Sequence, residues 1–295
     1  MNSVMNVRDF TFDHYTRLLD GALENDYTFY TLGEYVSMRE HETPCVVIRH
    51  DVDRKVSTAR AMAHEEATRG ISTTYYFRTS TFSPEVARET ERRGHEVGYH
   101  YEDLVKTRGD FEAAHERFAR NLDRFREHAD VRTICPHGSP LSPHHNLDMW
   151  RGDRTIEEYG LLGEAYLSME TANDDPGKAS YVSDTGRSWG APISGFGRVE
   201  TTDDLIAAFE SGACERYCLL VHPGRWSRSP TEQLQRVAWD LGAETAKTAA
   251  RTVHGLTRSG LPSASIGSDS DDRTPRRPAP AAPEGETTGE AESRP

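Results

Sequence analysis

The fold of this chain is decided by Cys45-Val-Val-Ile-Arg-His-Asp-Val-Asp53, a short apolar run that ends in two carboxylates. The run predicts a buried strand, and because side chains alternate between the faces of a strand, Asp51 and Asp53 should project the same way. Two adjacent carboxylates repel each other unless they share a proton or hold a cation between them. One interpretation is therefore a metal-dependent hydrolase. In the other, one Asp ends the strand and the second caps a helix that starts near Arg54.

Strand and helix patterns alternate downstream of this run. Apolar periodicity and turn residues predict helices at 57–69, 83–94 and 110–128, and strands at 72–78, 95–100, 131–135 and 218–221. Strands that alternate with helices favour a parallel sheet, so the sequence predicts an α/β fold, closed or nearly closed as a barrel. In such a barrel the reactive groups lie at the carboxyl ends of the strands.

Composition divides the chain into three segments. Residues 1–44 are predicted to form a helical preface packed on the barrel, and residues 45–262 to form the barrel itself, with a long helix from Thr231 to about Leu256. Residues 263–295 are rich in Gly, Ser, Pro, Thr and charges and have almost no large apolar side chain. They predict a disordered tail, because such a segment buries too little apolar surface to offset the entropy of ordering.

Charge and cysteine content narrow the function classes. The net charge of −13 argues against a nucleic-acid partner, which would need a basic stripe. The four cysteines form neither a CxxC pair nor a secreted disulfide framework, which favours reduced thiols. The N-terminus lacks a signal-peptide pattern and no stretch of about 18 apolar residues occurs. We therefore expect a cytoplasmic protein without membrane insertion, whose oligomeric state the sequence leaves open.

Polar side chains recur at the ends of the predicted strands. A single histidine at a strand end is more often a structural residue than a ligand. Recurrence along one edge of a barrel favours a functional site, and histidine with carboxylate suits zinc and related divalent ions. The residues concerned are Asp51, Asp53, His95, His100, His137 and His222.

Three of these segments carry a family resemblance. Asp51-Val-Asp53, Gly94-His-Glu-Val-Gly-Tyr-His100 and Leu219-Leu-Val-His222 resemble the first, second and last motifs of the polysaccharide deacetylase family, carbohydrate esterase family 4. The resemblance covers residues 45–226. It implies a distorted (β/α) barrel, a divalent metal that is usually zinc, and removal of an N- or O-acetyl group from a sugar. It also implies that Asp51 is the general base, that Asp53 and His100 are metal ligands, and that His222 is the general acid.

The chain departs from that family at position 104. The family's second motif supplies another histidine four residues after the first, whereas this chain has Leu104. His137, in the turn that follows the strand 131–135, is our preferred substitute, and its alternatives are an oxyanion donor, a substrate donor or a simple turn residue. A set of Asp53, His100 and His137 would leave zinc an open position for water. The weaker candidate ligands are Glu102, Asp103 and His144.

Three further residues are candidate substrate contacts. Arg49 shares the face of Asp51 and is expected to keep it ionised, whereas His50 should point into the helix layer. Trp189 is either a sugar platform or a core residue, and Trp226 is expected to wall the pocket.

The expected substrate is an acetylated carbohydrate or sugar conjugate, with a nucleotide-linked or lipid-linked biosynthetic sugar favoured over cell-wall polymer. One alternative is a C–N hydrolase acting on a non-sugar amide. Another is a catalytically silent barrel that binds carbohydrate, which Leu104 favours.

Overall fold

A parallel β-sheet forms the centre of the structure, a computed structural model that describes residues 9–233 except 176, 187 and 230. The sheet contains eight strands, all paired in parallel, and a separate antiparallel pair is formed by β8 (Ala191–Ile193) and β9 (Gly197–Val199). The strands of the sheet are β1 (Thr28–Tyr30), β2 (Cys45–Val52), β3 (Thr74–Phe77), β4 (Glu96–Tyr101), β5 (Thr133–Pro136), β6 (Gly163–Glu164), β7 (Ser180–Ser183) and β10 (Arg216–Val221). The helices are α1 (Phe12–Glu24), α2 (Leu32–Ser37), α3 (Val56–Thr68), α4 (Pro84–Arg92), α5 (Asp103–Lys106), α6 (Phe111–Arg126) and α7 (Thr202–Ser211).

The sheet curls into an open barrel. Its strand order is β6-β5-β4-β3-β2-β10-β7, with β1 beside the first half of β2. Arg49 lies in β2, in the middle of this order, yet its guanidinium lies 4.2 Å from the ring centre of Tyr166, just after β6, and 5.8 Å from that of Tyr181 in β7. The two edge strands therefore approach each other across the interior. The predicted distorted (β/α) barrel is confirmed, and within the described residues β6 and β7 are not paired with each other.

Side-chain alternation in β2 separates two apolar clusters. Val46 and Ile48 pack in the large core between sheet and helices, whereas Val47 belongs to a smaller cluster inside the barrel. The interior is tightly filled at Gly98 of β4, where a Cβ atom would lie 2.3 Å from the ring of Tyr76. The glycine thus makes room for a buried ring whose hydroxyl hydrogen-bonds the Thr133 hydroxyl at 2.8 Å.

The N-terminal segment is not purely helical. The predicted helical preface over 1–44 contains α1 and α2, but β1 pairs in parallel with β2, and this part of the prediction is wrong. Only three residues form β1, too few to show an alternating pattern of their own. The rest of the predicted helix from Thr231 and the predicted tail at 263–295 lie outside the described residues.

The helices and strands predicted downstream of β2 occur in the predicted order, with bounds shifted by at most two residues. Asp110 caps α6 by accepting a hydrogen bond from the backbone N–H of Ala113, and Pro84 is the first residue of α4. Among the described residues, no helix is both long and apolar enough to cross a membrane.

Candidate active site

The carboxyl ends of the parallel strands bring five predicted residues to one edge of the barrel. Asp51 is the penultimate residue of β2 and Asp53 follows its end, while His100 is the penultimate residue of β4. His137 directly follows β5 and His222 directly follows β10. The edge is the one at which a barrel of this kind places its chemistry.

Asp53 lies between two histidines. Its Oδ1 atom is 3.5 Å from Nε2 of His100 and 3.4 Å from Nε2 of His137, and it is buried without a hydrogen-bond partner. The Nδ1 atom of His100 is 3.0 Å from the carbonyl oxygen of Cys135, which can only accept, so in the neutral ring Nε2 carries the lone pair. A buried carboxylate oxygen with no donor, facing two imidazole nitrogens, is the donor set that suits a zinc-like cation.

Burial and charge shift the pKa values in this group. Burial raises the pKa of Asp53, but the nearby ring of His100, together with His137 and His222, brings it well below its ordinary value. Burial and the charge of His100 lower the pKa of His137 to about 4. Burial lowers the pKa of His100, but Asp51 and Asp53 outweigh it and the pKa is raised. The carboxylate of Asp53 and the neutral ring of His137 are the forms in which both residues bind metals.

A second possible donor set shares His100. The side chains of Asp51, His100 and Cys135 place one ligand atom each within 4.8 Å of one another. In this set the Cys135 thiol already lies 3.7 Å and 3.8 Å from the two carboxylate oxygens of Asp51, and Arg49 Nη1 lies 3.4 Å from its sulfur. A guanidinium beside the sulfur disfavours a second cation there, whereas Asp53 Oδ1 has no donor of its own. The set of Asp53, His100 and His137 is therefore the better fit.

Across the edge, His222 is held by a buried carboxylate. Its Nδ1 lies 2.6 Å from Oδ1 of Asp184, and its backbone N–H donates to the other oxygen at 2.8 Å. Asp184 also accepts from Trp226 Nε1 at 3.0 Å and from Arg225 Nη1 at 3.2 Å. Burial raises the pKa of Asp184, but His222 and Arg225 lower it below its ordinary value. An ionised Asp184 fixes the ring and leaves Nε2 of His222 for a substrate.

The sequence did not reveal this role of Asp184. The strand that ends at Ser183 carries no strong pattern, so no strand end was predicted at Asp184. Only its position could have indicated this role. Asp184 directly follows β7, His222 directly follows β10, and these two strands are neighbours in the sheet.

The three candidate substrate contacts are all buried. Trp226 is fully buried and supports Asp184, so the prediction that it walls the pocket is wrong. Trp189 is also buried, and its indole N–H donates to the Thr202 hydroxyl. Of its two interpretations, the structure agrees with a core residue rather than a sugar platform. Arg49 is buried inside the barrel, two residues before Asp51 in β2. Burial lowers the pKa of Arg49, but Cys135 and Asp51 raise it well above its ordinary value. Arg49 thus interacts with Asp51, as its strand parity predicted.

Two of the weaker candidate ligands have other partners. Glu102 binds Arg78 at 2.6 Å and lies 3.6 Å from Nδ1 of His137, behind the ring. Asp103 accepts hydrogen bonds from Tyr99 and Asn121.

The remaining histidines lie elsewhere. The ring of His144 lies against Gly109, and His95 stands at the amino end of β4, where it contacts Thr73 and the backbone of Ala63. His50 points into the helix layer, as predicted, and binds Glu66 at 2.7 Å.

Several solved protein structures are similar to this chain. No protein-family model and no curated protein matches the chain. Solved structures that match include a carbohydrate esterase family 4 pseudoenzyme from Bacillus anthracis, at 12% identity and a TM-score of 0.36, over 68% of this chain and 60% of that one. A family 4 carbohydrate esterase from Streptomyces lividans in complex with acetate matches at 17% identity and a TM-score of 0.36, over 68% of this chain and 88% of that one.

The peptidoglycan deacetylase PdaC from Bacillus subtilis also matches, at 13% identity and a TM-score of 0.31, over 69% of this chain and 96% of that one. The chain thus spans about three fifths of the Bacillus anthracis protein. These structures belong to the family whose motifs the sequence resembles. Because the sequence identities and TM-scores are low, these structures are reported only as similar to this chain. The fold is established by the strand order and register of the chain itself.

Proposed function

We propose that this protein is a divalent-metal-dependent hydrolase that removes an acetyl group from an acetylated sugar or sugar conjugate. The observation that carries the proposal is the orphaned, buried Oδ1 of Asp53 between the Nε2 atoms of His100 and His137. These three residues would hold the cation, most suitably zinc. When bound there, the cation would polarise the acetyl carbonyl as a Lewis acid and favour ionisation of water.

The other residues supply the proton transfers. Asp51, whose Oδ2 lies 3.6 Å from His100 Nε2, accepts a proton from the water that attacks the acetyl carbon. His222 lines the same cavity as Asp53 and His137, and its Nε2 protonates the leaving amine or alkoxide. Asp184 keeps the ring of His222 oriented through Nδ1. The products are acetate and the deacetylated sugar, and the carbon–nitrogen or carbon–oxygen bond of the acetyl group is broken.

We place the reaction in the cytoplasm, since all four cysteines are free thiols. A biosynthetic sugar conjugate then fits better as substrate than a cell-wall polymer.

Mass spectrometry of acetylated nucleotide sugars and chitooligosaccharides, incubated with zinc-loaded protein, tests the function. We expect loss of one acetyl group from a member of the panel, with Asp51→Asn as the inactive matched control. A second candidate is a barrel that binds sugar without turnover, which Leu104 favours. Binding of a panel member without any acetate release would select that candidate, and neither binding nor release would contradict both.

A further inference from the structure

Three arginines belong to the lining of a small cavity at the site. Its volume is 260 Å³, and it lies among Asp53, His137 and His222. The rest of its lining consists of Arg54, Arg78, Gly224 and Arg225. Three arginines and a single carboxylate thus line the cavity, in a chain whose net charge is −13, while the carboxylates of Glu102 and Asp184, which pair with Arg78 and Arg225, lie outside this lining. The lining itself therefore carries more positive than negative charge, which is the opposite of the chain as a whole.

Arg54 is the least engaged of the three. It is exposed, and within the described residues no hydrogen bond or ion pair holds its guanidinium. Its side chain lies across Gly224, where a Cβ atom would come within 2.7 Å of Cγ and 2.9 Å of Nε. The glycine therefore admits the arginine side chain at the cavity wall, and any larger residue would displace it.

The other two arginines are oriented by carboxylates from behind. Arg78 binds Glu102 through Nη2 at 2.6 Å, and its Nε is buried without an acceptor. Arg225 donates through Nη1 to the carbonyl and the carboxylate of Asp184. A buried guanidinium N–H without an acceptor is costly unless a ligand supplies one.

We propose that this cavity binds an oxyanion of the substrate, a phosphate or a carboxylate, so that the substrate class is an acetylated sugar bearing a negative charge. This inference rests on the proposed function. Guanidinium groups match phosphate and carboxylate through paired N–H donors, and the bonds are stronger than those to neutral acceptors. A volume of 260 Å³ is below the roughly 300–1,000 Å³ of drug-sized ligand pockets, so it suits a single sugar with its charged substituent.

Turnover of three probes tests the proposal. They are N-acetylglucosamine, N-acetylglucosamine 1-phosphate and N-acetylmuramic acid, of which the last two carry a phosphate and a carboxylate respectively. We expect kcat/KM to be about 10- to 100-fold higher for at least one charged probe, as charged hydrogen bonds allow. The preferred probe identifies the oxyanion. Equal values for charged and uncharged probes would overturn the proposal.

Variants locate the preference. Arg54→Gln should raise KM for the charged probe by a larger factor than for the uncharged probe, and Gly224→Ala should do so in part by displacing the arginine. Arg120→Gln removes the same charge from an exposed helix position and is the control. An equal loss for charged and uncharged probes in Arg54→Gln would overturn the assignment.

Binding separates this proposal from the proposed function. Calorimetry on Asp51→Asn protein with N-acetylglucosamine 1-phosphate, N-acetylglucosamine and inorganic phosphate does not depend on turnover. We expect tighter binding of the phosphorylated sugar, competition by inorganic phosphate, and weakening with added salt. Arg54→Gln in the same background should reduce the difference, whereas Arg120→Gln should leave it unchanged. If the protein binds charged probes selectively but the wild type releases no acetate, only the proposed hydrolase activity is contradicted. If it releases acetate without preferring charged probes, only the proposed oxyanion site is contradicted.

Discussion

The Nε2 atom of His137 lies 3.4 Å from Oδ1 of Asp53 at the carboxyl edge of the barrel. His137 comes from the turn after β5, so the third donor is supplied by a different strand from the one that carries His100. Leu104, at the position where the family resemblance implies histidine, is buried in the apolar core. The proposed donor set of Asp53, His100 and His137 therefore needs no ligand at position 104.

Asp51→Asn tests the assignment of the base. The amide keeps the size of the side chain but cannot take a proton, so turnover should fall by about 10²–10⁴-fold. Bound metal, measured by elemental analysis, should stay at the wild-type level because Asp53, His100 and His137 are intact. Full activity in this variant would transfer the role of base to another group.

Asp184→Asn tests the support of His222. The neutral amide no longer stabilises a protonated ring, so kcat should fall while KM and metal content stay close to wild type. The pH dependence of kcat should also shift, which a purely structural residue would not cause. His222→Ala is the matched comparison, and a pH profile identical to that of the wild type would contradict the role.

A buried acid on the opposite face of β2 should control acid stability. Glu66 accepts hydrogen bonds from the hydroxyls of Tyr15, Thr73 and Tyr75 and pairs with His50. Burial raises its pKa, but His50 and the other partners lower it from 4.5 to about 2.

The ionised form of Glu66 is thus favoured in the folded state. Its contribution is fully present above pH 4.5 and is lost as the pH falls toward 2. The loss is on the order of 3 kcal/mol in the free energy of unfolding. Urea titrations between pH 6 and pH 2 on wild type and Glu66→Gln measure it: the variant should lack this part of the pH dependence. Parallel curves for the two proteins would contradict the prediction.

Deletion of residues 263–295 should leave the barrel unaffected. The segment has almost no large apolar side chain with which to stabilise the rest of the chain. The truncated protein should match the full chain in acetate release, with a change in unfolding free energy under about 0.5 kcal/mol. Thermal melts and activity assays of both proteins measure this, and a large drop in melting temperature would show that the segment docks on the barrel.

The strong patterns of the sequence predicted the strands and helices that surround the site. The apolar run ending at Asp51, the Pro84 helix start and the helix capped by Asp110 each combine periodicity with a terminal signal, so local sequence was sufficient. The short strands between 137 and 217 were not predicted, because strands of two to four residues such as β6 and β7 show no periodicity.

The site was predicted in part for a related reason. Parallel strands bring their carboxyl ends together, so Asp53, His100 and His137 could be grouped from their positions alone. The residues that hold the site side chains in position could not be identified from strand ends alone. Asp184 reaches His222 from a strand that the sequence did not reveal, and Trp226 supports that carboxylate from the core. Such contacts depend on packing between distant segments rather than on spacing.

Metal content of four variants tests the central claim most directly. Elemental analysis and zinc titration would compare wild type with Asp53→Ala, His137→Ala and Cys135→Ser, with His144→Ala as the histidine control outside the donor set. We predict one zinc ion per chain in wild type, His144→Ala and Cys135→Ser, and loss of the ion in Asp53→Ala and His137→Ala, since each removes one of three protein ligands. Wild type that binds no divalent metal, or His137→Ala that keeps its metal while Cys135→Ser loses it, would contradict the account.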